Sequence, residues 1–278
     1  MKHVERILTH LFLLLIVVLV LFPIAYALSA SLKSNMELML GGSNLIPKTF
    51  TYQNYVDAWR LARFQFYTWN SLLVSFFTVL GGIVLSTMTA YVFNRGRFRG
   101  KRLVYTLYLG TMFISAGAIT LFPVTRISYL MGILNLPGVA IVQIFTVGAF
   151  NLFLAFGYFK TISYEIDQAA QIDGCSFFRI YWNIIMPLAK PMIATIGLIT
   201  FRFSWNNYLL PLVFTMGKQA TYTLVVGVVS LKDLGGEGAA QWNLMMAGTM
   251  FSVIPIIVVY LILNRWFIQG LTAGAVKG

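Results

Sequence analysis

Two stretches of the chain carry residue types that could do chemistry. The first is the polar segment from Ser163 to Pro191, SYEIDQAAQIDGCSFFRIYWNIIMPLAKP, which lies between two long apolar runs. Placed on a helix, Ile166, Ala169 and Ala170 come to one side through i, i+3 and i+4 spacing, and their size lets a partner approach closely. Gln168 adds an amide and Asp167 and Asp173 add acids, while Gly174 can take a backbone conformation closed to other residues and turn the chain. Phe177, Phe178, Ile180, Tyr181, Ile184 and Ile185 then supply an apolar side that should face the spans. The second stretch is Arg202 with Asn206 and Asn207, set in an apolar run that ends near Pro211. A guanidinium at the centre of a membrane helix costs at least ~2.5 kcal/mol, so its presence is a functional signal.

Covalent chemistry finds no support. Neither G-x-x-x-x-G-K-[ST], H-E-x-x-H nor G-x-S-x-G occurs, and His3 and His10 both lie at the amino end, so no catalytic or metal site is expected. Cys175 is the single cysteine, which excludes an intrachain disulfide.

Composition sets the class of molecule that must position these residues. Apolar residues make up 59% of the 278 and charged ones 10%, against about 25% charged in soluble proteins. Six runs, roughly 11–30, 70–93, 103–125, 138–159, 190–214 and 245–267, approach the ~20 apolar residues needed to cross a bilayer. The first continues past Ala25-Tyr26-Ala27 to Leu32, so it is expected to remain as a span and not to be cleaved as a leader. The loop NRGRFRGKR, Asn94 to Arg102, crowds Arg95, Arg97, Arg99, Lys101 and Arg102 together and sets the cytoplasmic side. Both termini and the 160–189 segment then fall inside, while 31–69, 126–137 and 215–244 fall outside. The net charge of +12 lies mostly at span ends, where it meets anionic headgroups, and excludes a nucleic-acid role.

Within the spans, Thr111, Ser115, Gly117 and Thr120 read as small residues for close helix packing. Gln143, Thr146 and Asn151 are amides and hydroxyls that need partners, as interhelical bonds or as a hydrophilic passage. For Arg202 the alternatives are a passage-facing cation or a bond to a neighbouring span such as the Asn151 amide. The aromatics from Tyr52 to Trp69 read as an interfacial belt.

Gln168-Ala169-Ala170, Asp173-Gly174 and Ile184-x-Met186-Pro187 together resemble the EAA loop of ABC importer permeases. Residues 70–278 as a whole resemble the maltose-permease type, including Trp205-Asn206-Asn207-Tyr208-Leu209 and the ending Gly-Leu-Thr-Ala-Gly-Ala-Val-Lys-Gly. Gln168 replaces the family's usual Glu, Ser163 stands where Pro is common, and Arg202 occupies a position that is ordinarily apolar or small.

The resemblance implies an all-α polytopic membrane protein with six transmembrane helices and a cytoplasmic coupling helix between spans four and five. Residues 1–69 would form the first span and outer loop, and 70–278 the importer core, with a coupling loop at 160–189 and a tail at 268–278. Gln168, Ala169, Ala170, Asp173, Gly174, Ile184 and Pro187 would meet the ATPase, as would Gly270 and Lys277 of the tail. Asn151, Arg202, Asn206 and Asn207 would line the passage. The implied partners are a second homologous permease, two ATP-binding subunits that hold ATP and Mg, an external solute-binding protein and a sugar or oligosaccharide, in a bacterial cytoplasmic membrane. This chain itself would be no enzyme and bind no cofactor. The competing class is an ion-coupled secondary transporter, which tends to place acids within its spans; all eight acids here fall in loops or tails.

Overall fold

The computed structural model describes residues 2–41, 44–60, 62–113, 117–231 and 240–275, with backbone alone at 2–4, 117 and 266–275. Its helices in chain order are α1 (Lys2–Ser31), α2 (Asn35–Met39), α3 (Gln53–Arg60), α4 (Phe64–Arg95), α5 (Lys101–Gly110), α6 (Leu121–Leu130) and α7 (Leu136–Phe159). They continue as α8 (Tyr164–Ile172), α9 (Phe177–Ile180), α10 (Met186–Leu188), α11 (Lys190–Trp205), α12 (Leu209–Phe214), α13 (Leu224–Ser230) and α14 (Trp242–Ala275). No strand occurs among the described residues.

Four helices are long and apolar enough to cross a membrane unbroken: Glu5–Ser31, Phe64–Arg95, Leu136–Phe159 and Trp242–Arg265. Two more candidates are bent pairs, Lys101–Phe113 with Ala118–Leu130, and Phe177–Leu188 with Lys190–Trp205 at 80°. The expected third span, 103–125, is therefore two helical pieces and runs on to Leu130. The expected fifth span, 190–214, is also divided, into α11 and α12. Pro211 favours the break, since it has no N–H for the Asn207 carbonyl and its ring crowds that carbonyl, although α1 and α14 continue past Pro23 and Pro255. The chain opens at 206–208, and α12 restarts with the Asn207 Oδ1 accepting the Leu210 N–H at 3.3 Å.

The chain divides into two compact units, residues 1–68 with 223–255, and 69–222 with 256–278. In the first, Asn54 is the polar centre: its amide donates to the Ser31 and Lys33 carbonyls at 2.8 Å each and its Oδ1 accepts from Asn243. Lys33 is fully buried and donates to the Asn44 carbonyl. Phe64 and Tyr67 are buried, and Gly227 and Gly248 leave the room for their rings, since a Cβ there would stand 2.1 Å from Tyr67 and 2.3 Å from Phe64. Tyr55, Trp59 and Phe64 pack on Phe251. Phe64 and Tyr67 are thus core residues and Tyr55 is half-buried, while Tyr52, Trp59, Phe66 and Trp69 keep the exposure an interfacial belt requires. The side chains of α1 from Ile7 to Ile24 stay exposed, as lipid-facing ones would.

In the second unit α7 and α11 pack together through polar side chains buried among apolar ones. The Asn151 amide donates to Thr200 Oγ1 at 2.9 Å, and Gln143 Oε1 accepts from Thr78 and Ser204 at 3.0 and 2.6 Å. These are interhelical bonds, the first of the two alternatives for Gln143 and Asn151. Thr111 and Thr120 are exposed, so close packing does not explain them; Ser115 lies outside the described residues.

Thr200→Val leaves the Asn151 amide without an acceptor. The expected loss is ~0.6–2 kcal/mol, as for interhelical hydrogen bonds in membranes, read as a lower melting temperature of the purified protein. Adding Asn151→Leu should cost less than the sum of the two single changes.

Candidate coupling site and passage

The polar insertion folds as a capped helix, a turn and a second helical rod. Ser163 accepts the Glu165 N–H at 3.2 Å to start α8. The end of α8 is a Schellman motif: the Cys175 N–H reaches the Ala170 carbonyl, the Gly174 N–H reaches Gln171, and Gly174 takes φ +79°. Ser176 then accepts the Arg179 N–H and opens α9. The rod from Phe177 to Leu188 contains a π turn at Tyr181–Ile185, just before Pro187, and bends sharply into α11 around Ala189.

One contact fixes this rod and α8 to α4. Arg95 Nε lies 3.0 Å from Asp167 Oδ2, with the two side chains 9% and 2% exposed, as an ionic contact without hydrogen-bond alignment. The Tyr91 hydroxyl donates to Asp167 Oδ1 at 3.0 Å. The guanidinium also donates to the Ile162 carbonyl at 2.8 Å and to Asn94 at 2.9 Å, and lies over the Tyr164 ring. The Tyr91 ring touches Phe159, Phe177 and Tyr181, whose hydroxyl is 2.8 Å from Thr87 Oγ1. Asp167, Arg95 and Tyr91 thus bind the ends of α4 and α7 to the start of both insertion helices.

This placement corrects two expectations. Asp167 is turned inward, held by Arg95, and offers no acid to a partner. Ala169 and Ala170 part company: Ala170 is buried beside Asp167, while Ala169 joins Glu165, Ile166, Gln168 and Ile172 on the exposed face. Asp173, Gly174 and Pro187 are exposed and Ile184 is half-buried. Of the apolar side assigned to the rod, Ile180, Tyr181 and Ile185 enter the core, and Phe177 and Phe178 stay exposed. Sequence spacing missed the Arg95–Asp167 pair because its members stand far apart in the chain, and only the i, i+3 pairing of Asp167 with Ala170 hints at an inward side.

Among the passage residues, Asn151 is buried against Thr200, whereas Arg202 and Asn206 are exposed. The bond proposed between Arg202 and Asn151 does not form. Asn207 lines a cavity of about 190 Å³ with Gln143, Thr120, Thr146 and Phe203. Gly270 lies within α14, which runs to Ala275 as helix; Lys277 lies outside the described residues. No cluster of His, Cys, Asp or Glu that could hold a metal occurs among the described residues.

The described residues thus carry four to six candidate membrane spans and, after α7, a capped helix α8 held at its base and exposed on its outer face. Residues 82–273 match the binding-protein-dependent transport system inner membrane component family. The chain is 31% identical to the galactooligosaccharides transport system permease protein GanQ of Bacillus subtilis (strain 168), over 100% of this chain and 97% of that one. It is 30% identical to the probable starch degradation products transport system permease protein AmyC of Thermoanaerobacterium thermosulfurigenes, over 99% and 98%. A bacterial ABC transporter involved in the import of the acidic polysaccharide alginate has a chain that superposes with a TM-score of 0.82 at 27% identity, covering 96% of this chain and 97% of its own. The chain belongs to this family and is a permease subunit of an ABC importer, a multi-pass inner-membrane component.

Asp167→Ala strands the Arg95 guanidinium in the core, a loss of ~3–5 kcal/mol for one partner of a buried pair. Hydrogen exchange at 164–172 should accelerate well beyond that in Tyr91→Phe, which loses a single hydrogen bond to a charged group, ~1.5–3 kcal/mol. Equal protection in wild type and Asp167→Ala would show that the pair does not hold α8.

Proposed function

We propose that this chain forms half of the passage of an ATP-driven importer for a sugar or oligosaccharide, and that α8 is the element seated in a groove of the ATPase. The observation that carries this reading is the two-sidedness of α8. Asp167 and Ala170 anchor one face, and Ile166, Gln168, Ala169 and Ile172 project from the other, with Ile172 87% exposed. An apolar side chain so exposed beside a neutral amide and a small Ala suits a shape-matched protein groove. Gln168 gives up the charge-assisted bond a Glu would make, so contact there depends more on fit, and Asp173 is the remaining acid at the tip.

The relatives' cargoes, galactooligosaccharides, starch degradation products and alginate, support a carbohydrate for this chain. In this reading a second homologous permease completes the passage, two further subunits bind and hydrolyse ATP with Mg, and an external solute-binding protein delivers the sugar. The spans number six when each bent pair counts as one. In this reading Arg97, Arg99, Lys101 and Arg102 favour the cytoplasmic side for the 94–102 loop, and with it for the 160–189 segment and both termini. The tail, Gly270 included, meets the ATPase pair in this reading. The ion-coupled alternative gains nothing, because the one acid buried among the described residues, Asp167, is held by Arg95.

Ala169→Arg places a long cation on the exposed face, and Gly174→Val forces a β-branched residue into a left-handed conformation in open space. Both variants should reach the membrane. Sugar uptake should fall by about tenfold or more, the equivalent of ~1.4 kcal/mol of lost coupling. Normal uptake by both, with the ATPase still copurifying, would remove α8 from the coupling role.

A further inference from the structure

α11 is enclosed on almost every side. From Pro191 to Trp205 a single side chain is exposed, and it is Arg202. Asn206, one turn on at i+4, is exposed beside it. A guanidinium keeps its proton and presents five donors, so it needs acceptors wherever it is removed from water. Among the described residues Arg202 makes no side-chain hydrogen bond, ion pair or ring contact. Asp167, the one acid buried among the described residues, is occupied by Arg95.

Lipid does not suit this group either. With Lys190 taken as the inner edge, Arg202 lies twelve residues on, about 18 Å along the helix at 1.5 Å per residue, inside a hydrocarbon layer ~30 Å thick. Its side chain is too short to reach either headgroup region from there. The next polar groups are amides: Asn206, then half-buried Asn207 at the wall of the 190 Å³ cavity. In the same wall Gln143 is fully buried, with Oε1 taken by Thr78 and Ser204 and Nε2 lacking any partner. A fixed cation followed by amides with spare donors fits a ligand that carries a negative charge and hydroxyl oxygens.

We propose that Arg202 determines specificity in the passage and that the cargo is an acidic saccharide, its carboxylate gripped by the guanidinium and its hydroxyls met by Asn206 and Asn207. This rests on the reading of the chain as a sugar importer.

The test uses the complete transporter in proteoliposomes, with its binding protein, and follows uptake of uronic-acid trisaccharides and of their carboxyl-reduced neutral counterparts. Wild type should take up a uronate preferentially. Arg202→Gln should slow uronate uptake by about 10- to 100-fold and leave neutral uptake within about twofold, with Arg202→Lys intermediate because a point charge remains without the planar fork. Uptake of neutral sugars alone, unaffected by Arg202→Gln, would overturn the anionic cargo and leave the importer reading standing. Uptake of neither class would overturn both. Failure of the Gln variant to assemble where the Lys variant assembles would assign Arg202 to an acid of the second permease, and the proposal would fall.

Discussion

The buried pair between Arg95 and Asp167 is the constraint on which the rest of the insertion depends. A carboxylate removed from water is costly unless it is paired and hydrogen-bonded. Here Asp167 receives the guanidinium on one oxygen and the Tyr91 hydroxyl on the other. The same guanidinium reaches back to the Ile162 carbonyl, in the turn that leads into α8. Because the penalty for separating these groups is large and their reach is short, α8 cannot swing away from the end of α4 without exposing an unpaired charge in the core. The pair therefore sets the position of α8, and the position of α8 sets which residues face outward.

Rigidity is continued from there by local chemistry. The Schellman closure at Gly174 and the cap at Ser176 fix the angle between α8 and the rod from Phe177 to Leu188. Tyr91 and Tyr181 pack that rod on α4 and α7, and Thr87 holds the Tyr181 hydroxyl. Beyond the bend at Ala189, α11 is tied to α7 by Asn151 with Thr200 and by Ser204 with Gln143. Buried polar bonds and ring contacts thus form a series that joins α8 to α4 and α7, and α7 to α11, the helix that carries Arg202. In the proposed importer, a displacement imposed on α8 would reach the passage through this series.

What could be read from the sequence was whatever depends on local order. The apolar runs gave the helical membrane class, Gly174 gave the turn, and the insertion stood out because it was polar between spans. The bend between Lys101–Phe113 and Ala118–Leu130 and the break at 206–208 were less legible, since hydropathy averages over a window and does not register a single Pro211. The clamp was not legible at all: Arg95 counts toward orientation and Asp167 toward an acidic docking face until the fold brings them together. Asn151 and Gln143 could be recognised as amides in need of partners, but the choice between a helix contact and a passage was made by their neighbours Thr200, Thr78 and Ser204.

The central claim is that α8 moves as one body with the spans because Asp167 is held by Arg95. The most direct measurement is the number of ATP molecules hydrolysed per sugar imported by the assembled transporter carrying Asp167→Asn. The account predicts that ATP hydrolysis persists while this ratio rises by about tenfold or more, a coupling loss of at least ~1.4 kcal/mol. A ratio equal to that of the wild type would contradict it.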